Sequence, residues 1–464
     1  MAPFRNRLNS SGARLSLSAR RGRNARGRWT LHPLGLLLSL AVLPACSAKD
    51  NDLDTARVPT KTKTSKSNKP KGTDATPAAA KWIGDGSKDG VDYVEIYVAP
   101  KDFFCSLSGC RVGIPADLDF NPFRPGEMWV VFRQPYVGQT CNADDPQSIG
   151  CELMGSKVAI ITGADGDAPS TEIKEDGNSW HFMRRVTSLA FADDDSFATV
   201  GEARTGNFFD DAPSYMGPTW WSADPTIFAV DFGRNGSHLD MLHATPFGMG
   251  IAHDPRPMVG PHGKLETQPV FWAFNGAAGA IDRYDFNLPH EPGGKDHSDG
   301  ELARYATGSL KMIPDVPSHM EFADRSTLEE KASDPDWWLY VADTGNHRVV
   351  RLDPDSGVVS SEPLVTDEDQ VKNPQQVDGA VVEEVVAEGV LGLPSGIAVA
   401  GSLLFVSDGA SSSIHVFDLD GKALGQLDTG LPSGSLAGIA VGPDQRLYFV
   451  DWLGSRVVRI EPHT

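Results

Sequence analysis

Short runs of alternating apolar and polar residues fill most of this chain, and from residue 335 onward one design comes back three times. Leu339-Tyr340-Val341-Ala342-Asp343 is an apolar strand, Thr344-Gly345-Asn346-His347 a turn, and Arg348-Val349-Val350-Arg351-Leu352 a second strand with period two. Leu404-Phe405-Val406-Ser407-Asp408 with Ile414-His415-Val416-Phe417-Asp418 repeats it, and so does Leu447-Tyr448-Phe449-Val450-Asp451 with Arg456-Val457-Val458-Arg459-Ile460. A repeat of this length, each copy a small sheet that cannot bury both faces alone, predicts a radial array of sheets.

A further strand precedes each pair: His319-Met320-Glu321-Phe322, Gly396-Ile397-Ala398-Val399 and Gly438-Ile439-Ala440-Val441. The same order recurs more weakly upstream. Asp117–Phe120 leads to Met128–Phe132 and Val158–Ile161, Ser188–Phe191 to Phe197–Val200 and Thr226–Val230, and Gly250–Ala252 to Val270–Phe274 and Ala280–Tyr284. Six copies predict an all-β, six-bladed β-propeller of four-stranded antiparallel blades. The last copy ends too close to residue 464 to supply its own outermost strand. Val91–Val98 alternates as a half-buried strand should, and is expected to pair with Arg456–Ile460 and close the ring, protecting both sheet edges. The three C-terminal copies, and Asp343–Val349 above all, resemble NHL repeats.

The first 33 residues carry eight arginines and no acidic residue, and Leu34–Leu43 is an apolar run too short to span a bilayer. Residues 1–45 therefore read as a signal peptide. Leu43-Pro44-Ala45-Cys46 resembles a bacterial lipobox, which implies a lipid on Cys46 and a lipid-anchored protein of the cell envelope, outside the cytoplasm, touching the membrane through that lipid alone. Residues 46–81 are rich in Lys, Thr, Ser, Pro and Ala and read as a disordered tether, leaving 82–464 for the propeller. Four further cysteines form two close pairs, Cys105 with Cys110 and Cys141 with Cys151; an oxidising compartment predicts disulfides, with a zinc site as the rival. Loss of the eight arginines moves the net charge from −20 to −28, and the net positive tether leaves the domain more acidic still. Such a surface repels phosphate backbones, so nucleic acid is excluded as a partner and a monomer is expected.

Within a blade, the turns between strands two and three share one face, here the top face, with the connections between blades. Long turns on it, Arg133–Lys157 and Glu202–Pro225 with Phe208, Phe209, Tyr215, Trp220 and Trp221, mark it as the binding face. The inner strands offer the sharper signal. At matching positions they carry Asp117, Ser188, Gly250, His319, Gly396 and Gly438, and two residues later Asp119, Ala190, Ala252, Glu321, Ala398 and Ala440. Small residues suit six strands crowded around an axis, and blades one and four break that rule from opposite sides. His319 and Glu321 are thus expected to face Asp117 and Asp119 across the channel, below a mouth lined by His243 and the Trp220–Trp221 turn. They form either a ligand set for a divalent metal, zinc or calcium, or a hydrated hydrogen-bond plug.

His238, His253, His290 and His297 fall by the same rule on the opposite face, where His253, His297 and Asp299 form a second candidate metal cluster. His347 belongs to the repeat's turn and is expected to buttress it. No Gly-Xaa-Ser-Xaa-Gly elbow, phosphate loop or Rossmann glycine pattern occurs. Three functions follow as expectations: a propeller that binds a ligand or protein partner through its top face, a metal-dependent lyase or hydrolase, or a purely structural protein of the envelope. The second rests on a looser resemblance to the peptidyl-hydroxyglycine lyases, to which no histidine of this chain aligns one by one.

Overall fold

The structure is a computed structural model, and it describes residues 75–106, 109–135, 155–205, 216–230, 235–260, 263–326, 336–364, 366 and 371–463. The chain divides into residues 1–61 and 62–464, and all of the described structure belongs to the second unit. Cys46, Cys141, Cys151, Phe208, Phe209 and Tyr215 lie outside the described residues. No helix among those residues is long and apolar enough to cross a membrane.

The fold is a six-bladed β-propeller. Blade one is Ile114–Phe120, Glu127–Arg133, Lys157–Thr162 and Ser170–Lys174, from axis to rim. Blades five and six begin with Pro394–Ala400 and Leu436–Val441. Blade six is completed by Val91–Val98, which runs antiparallel to Arg456–Pro462 with Val91 opposite Pro462 and Val98 opposite Arg456. Middle strands such as Glu127–Arg133 are buried at every position, because neighbouring blades cover both faces.

An aspartate ends the second strand of each of the last three blades, and its bonds explain the repeat. Asp343, fully buried, accepts from the Lys311 amide, from Asn346 Nδ2 and from Arg348 Nε, each at 2.8 Å. Asp408 takes the amides of Gly392, Leu393 and Ala410, and Asp451 takes the Gly454 amide and Arg456 Nε. One carboxylate thus fixes the turn and, in blades four and five, the connection beside it. His347 sits left-handed at φ 55° and its Nδ1 donates to the Gly392 carbonyl at 2.5 Å, joining blade four to the approach of blade five.

Three expectations need correction. In blade two the third strand is Thr219–Ser222 and not Thr226–Val230. Asp224 Oδ1 captures the Thr226 amide at 2.8 Å and starts a helical turn, in which Ile227 and Phe228 donate to the Asp224 carbonyl. Trp220 and Trp221 accordingly lie in that strand, 3% and 0% exposed, their indole N–H groups on Ser196 and Thr199, and they line no mouth. At the N-terminal end, Pro77–Ile83, partly assigned to the tether, is a helix capped by Thr76. It buries Ala79, Trp82 and Ile83 in the core shared by blades five and six, with the Trp82 ring 5.2 Å from Phe405.

Blade three carries six strands. After Gly248–His253, Val270–Asn275, Ala280–Asp285 and Glu301–Tyr305 come Lys372–Asp378 and Val358–Pro363, a hairpin sent across from blade four. Lys372–Asp378 pairs in parallel with Glu301–Tyr305. Blade four otherwise holds Met320–Asp324, Trp337–Asp343, Arg348–Leu352 and Val382–Val386. Cys105 and Cys110 are bonded, joining the facing strands Phe104–Ser106 and Gly109–Arg111.

Candidate functional site at the axis

The repeat register delivers Asp117, Asp119, His319 and Glu321 to one axial cavity of about 120 Å³, together with Ser188, Ala190, Ala398 and Ala440. Glycine creates the space for the larger side chains. A Cβ on Gly250 would stand 2.0 Å from the Ser318 carbonyl oxygen and 3.0 Å from His319 Cα, and one on Gly438 would stand 2.8 Å from Asp117 Cα.

The four groups form two tiers. In the upper one Asp117 and His319 are 5% and 4% exposed, with Nδ1 of His319 3.4 Å from Asp117 Oδ1. Nε2 of His319 donates to the Thr187 carbonyl at 3.0 Å, and Asp117 Oδ2 accepts from Ser188 Oγ at 2.7 Å and the Leu189 amide at 3.1 Å. Two residues further along the strands, Asp119 is half-buried and Glu321 is open to the channel. Asp119 accepts from the amides of Phe120 and Phe191, whereas Glu321 makes no hydrogen bond among the described residues. Enclosure by the inner strands pushes Asp119 up to about 7; enclosure and then the Asp119 and Asp117 charges push Glu321 up to about 8. Burial raises Asp117 too, against the pull of His319.

An ion network lies above this at the top of blades one and two. Arg133, 3% exposed, pairs with Glu202 and reaches Asp315 Oδ1 at 3.1 Å, and Arg185 reaches the same oxygen at 2.5 Å. The Asp315 amide donates to Glu202 at 3.0 Å. Asp315 belongs to the connection into blade four, so the network bridges blades across the ring. Among the described residues the lower tier of the cavity is the more exposed of the two.

The remaining candidates separate. His243 stands against His181, ring centres 5.7 Å apart, and does not line the cavity. His253 Nε2 bonds the Gln268 carbonyl and Asp299 accepts the Leu288 amide, so neither joins His297. His297 instead meets His238 and His290, two histidines that the sequence placed on the same side but not in the cluster. No spacing motif marks that trio; only the local abundance of histidine did.

No family model matches this chain, and no curated protein matches it. Solved structures share the fold at low identity. An auxiliary nutrient binding protein from Bacteroides thetaiotaomicron aligns with TM-score 0.43 and 12% identity over 80% of this chain and 76% of its own. A gluconolactonase from Xanthomonas campestris gives 0.40 and 13% over 84% and 95%. A catalytically inactive virginiamycin B lyase from Staphylococcus aureus gives 0.39 and 13% over 80% and 88%. At such identities none of these activities transfers, and membership of the NHL family is not established.

Proposed function

We propose that this chain is a lipid-anchored, NHL-like propeller outside the cytoplasm that binds a small cationic ligand, a hard divalent ion of the calcium class, in its axial channel. The observation that carries the reading is Glu321: a carboxyl enclosed by protein, open to channel water, without a hydrogen-bond partner, and beside two further carboxyls. Holding three carboxyls around one narrow channel is costly when they ionise together, unless a cation uses them. Size limits the ligand, since about 120 Å³ admits an ion with its waters and not a drug-sized molecule, which needs at least about 300 Å³. Donor type limits it further. Nε2 of His319 is taken by the Thr187 carbonyl and Nδ1 is turned toward Asp117, so the donors nearest the open channel are the oxygens of Glu321 and Asp119, and oxygen favours calcium over zinc.

The raised carboxyls give the test its sign. Below the ordinary carboxylate range the folded and unfolded states are both protonated; as pH rises through about 7 and 8 the folded protein must ionise Asp119 and Glu321 in a poorly solvated place. Without ligand, stability falls over that range, and a cation restores it by displacing the protons. Calcium is expected to raise the melting temperature at pH 8.5 and to bind at least about tenfold more weakly at pH 6. Glu321→Gln should abolish most of the effect. An equal shift in that variant, or none in the parent at pH 8.5, would refute the site.

The anchor has its own check. Cys46→Ala is expected to move the protein from the membrane pellet to the soluble extracytoplasmic fraction. A variant that still pellets rules out lipid on Cys46.

A further inference from the structure

At the rim between blades two and three, His238 precedes the outermost strand of blade two, Asp240–Met241, while His290 and His297 lie between the third and fourth strands of blade three. One nitrogen from each falls within 4.8 Å of the other two. The ring centres are 4.8, 5.2 and 5.7 Å apart.

The hydrogen bonds decide which nitrogens are able to ligate. His238 Nδ1 lies 2.8 Å from the Asn235 carbonyl oxygen and His290 Nδ1 2.7 Å from the Glu291 carbonyl oxygen. A carbonyl only accepts, so both Nδ1 atoms carry hydrogen and both Nε2 atoms carry lone pairs. His297 Nδ1 lies 2.5 Å from Asp240 Oδ1. The Met241 amide approaches the same Nδ1 at 3.4 Å but is engaged by Asp240 Oδ1 at 2.6 Å, so His297 Nδ1 is the donor to the carboxylate. All three Nε2 atoms thereby carry lone pairs, in a cluster to which each ring brings one nitrogen.

Two of them have nothing to accept. Nε2 of His238 and Nε2 of His290 are buried without a hydrogen-bond partner, and His238 is only 1% exposed. Such orphans call for an explanation in a well-packed protein. Asp240 is fully buried and its Oδ2 is likewise unpartnered. Carboxylate on Nδ1, Nε2 turned outward, is the arrangement that fixes the tautomer of a metal-bound histidine and raises its basicity.

We propose that His238, His290 and His297 bind a zinc-class divalent ion at the rim, with Asp240 orienting His297 and a fourth position left for water or a substrate oxygen. Three imidazoles on a tetrahedral ion with Zn–N of 2.0–2.1 Å hold their ring centres about 5 Å apart, which matches the observed triangle. Their nitrogens would close to about 3.4 Å from one another, a small rotation for His290 and His297, which sit in a connection outside the sheet. Imidazole donors select zinc, copper or nickel over calcium, so this site and the axial one differ in ligand chemistry and stand or fall separately. Three protein ligands and one open position are the composition of catalytic rather than structural zinc sites.

The test uses the tag-free full chain, stripped with chelator and dialysed against zinc. One zinc per chain should be retained. His290→Ala and His297→Ala, both partly exposed positions, should each lower affinity at least about 100-fold, Asp240→Asn roughly 10-fold to 100-fold, and His463→Ala not at all. Cobalt provides the readout that separates the sites: three imidazoles give the intense visible absorption of a four- or five-coordinate ion, whereas oxygen ligands in the channel give the weak bands of an octahedral one. That spectrum in the parent, lost in His290→Ala at unchanged melting temperature without metal, supports the proposal. Zinc retained equally by His290→Ala and His297→Ala, or no zinc retained by the parent, overturns it.

Discussion

A chain that begins at residue 100 is expected to give no soluble folded monomer. Residues 75–99 supply the outer strand of blade six and the helix over blades five and six. Removing them uncovers the whole hydrogen-bonding edge of Arg456–Pro462, including the buried Val457, Val458 and Ile460. It also removes Trp82, Ile83, Val91 and Ile96, all at most 7% exposed. At about 2 kcal/mol each, these four side chains represent roughly 8 kcal/mol of burial, as large as the net stability of many domains. The open edge then favours association. Adding a peptide of residues 75–99 during refolding should recover monomer. A truncated chain that remains monomeric and melts within a few degrees of the parent would show that the closure is dispensable.

Arg133→Ala should be the most damaging single substitution at the top of the channel. Its guanidinium is the buried partner of Glu202, and the loss leaves that carboxylate 7% exposed, with Arg185 Nη2 at 3.6 Å as the nearest remaining cation. Breaking a buried pair from one side costs about 3–5 kcal/mol. For a domain of this size 3 kcal/mol corresponds to a melting temperature lower by roughly 4 °C. Replacing both partners, Arg133→Met with Glu202→Gln, should recover most of it, since no charge is then stranded. A single variant that melts within about 1 °C of the parent would mean that the network contributes nothing net.

Legibility in the sequence followed chemistry that repeats. Blades four, five and six were readable because Asp343, Asp408 and Asp451 end the second strand and each holds the turn that follows it, Asp343 and Asp451 through an arginine Nε and Asp408 through the Ala410 amide. In blades one, two and three that position holds Arg133, Gly201 and Asn275, each serving a different local need, so only the hydrophobic rhythm survived. The misplaced strand of blade two has the same origin. Trp220 and Trp221 are both buried because blades cover the strand on two faces, so Thr219–Ser222 offers no regular alternation, while the longer apolar run Ile227–Val230 lies in a helical turn. The axial groups were visible because register alone brings them together. The histidine trio was not, because it joins two blades over 52 to 59 residues of chain and depends on how their connections pack.

The hairpin Val358–Pro363/Lys372–Asp378 has a consequence for how this ring can be divided. A regular six-bladed ring cut between its third and fourth blades yields two halves, each with complete sheets. Here the second half keeps two strands that belong to the first half's sheet, one of them the parallel neighbour of Glu301–Tyr305. Co-expressed halves severed between residues 306 and 318 should therefore find each other by strand donation at that seam as well as at blade six, and a circular permutant opened there should keep the ring intact. The same cut between blades five and six has no such clasp. The symmetry of the ring is broken by one borrowed ribbon, which adds a strand pairing to the seam between blades three and four.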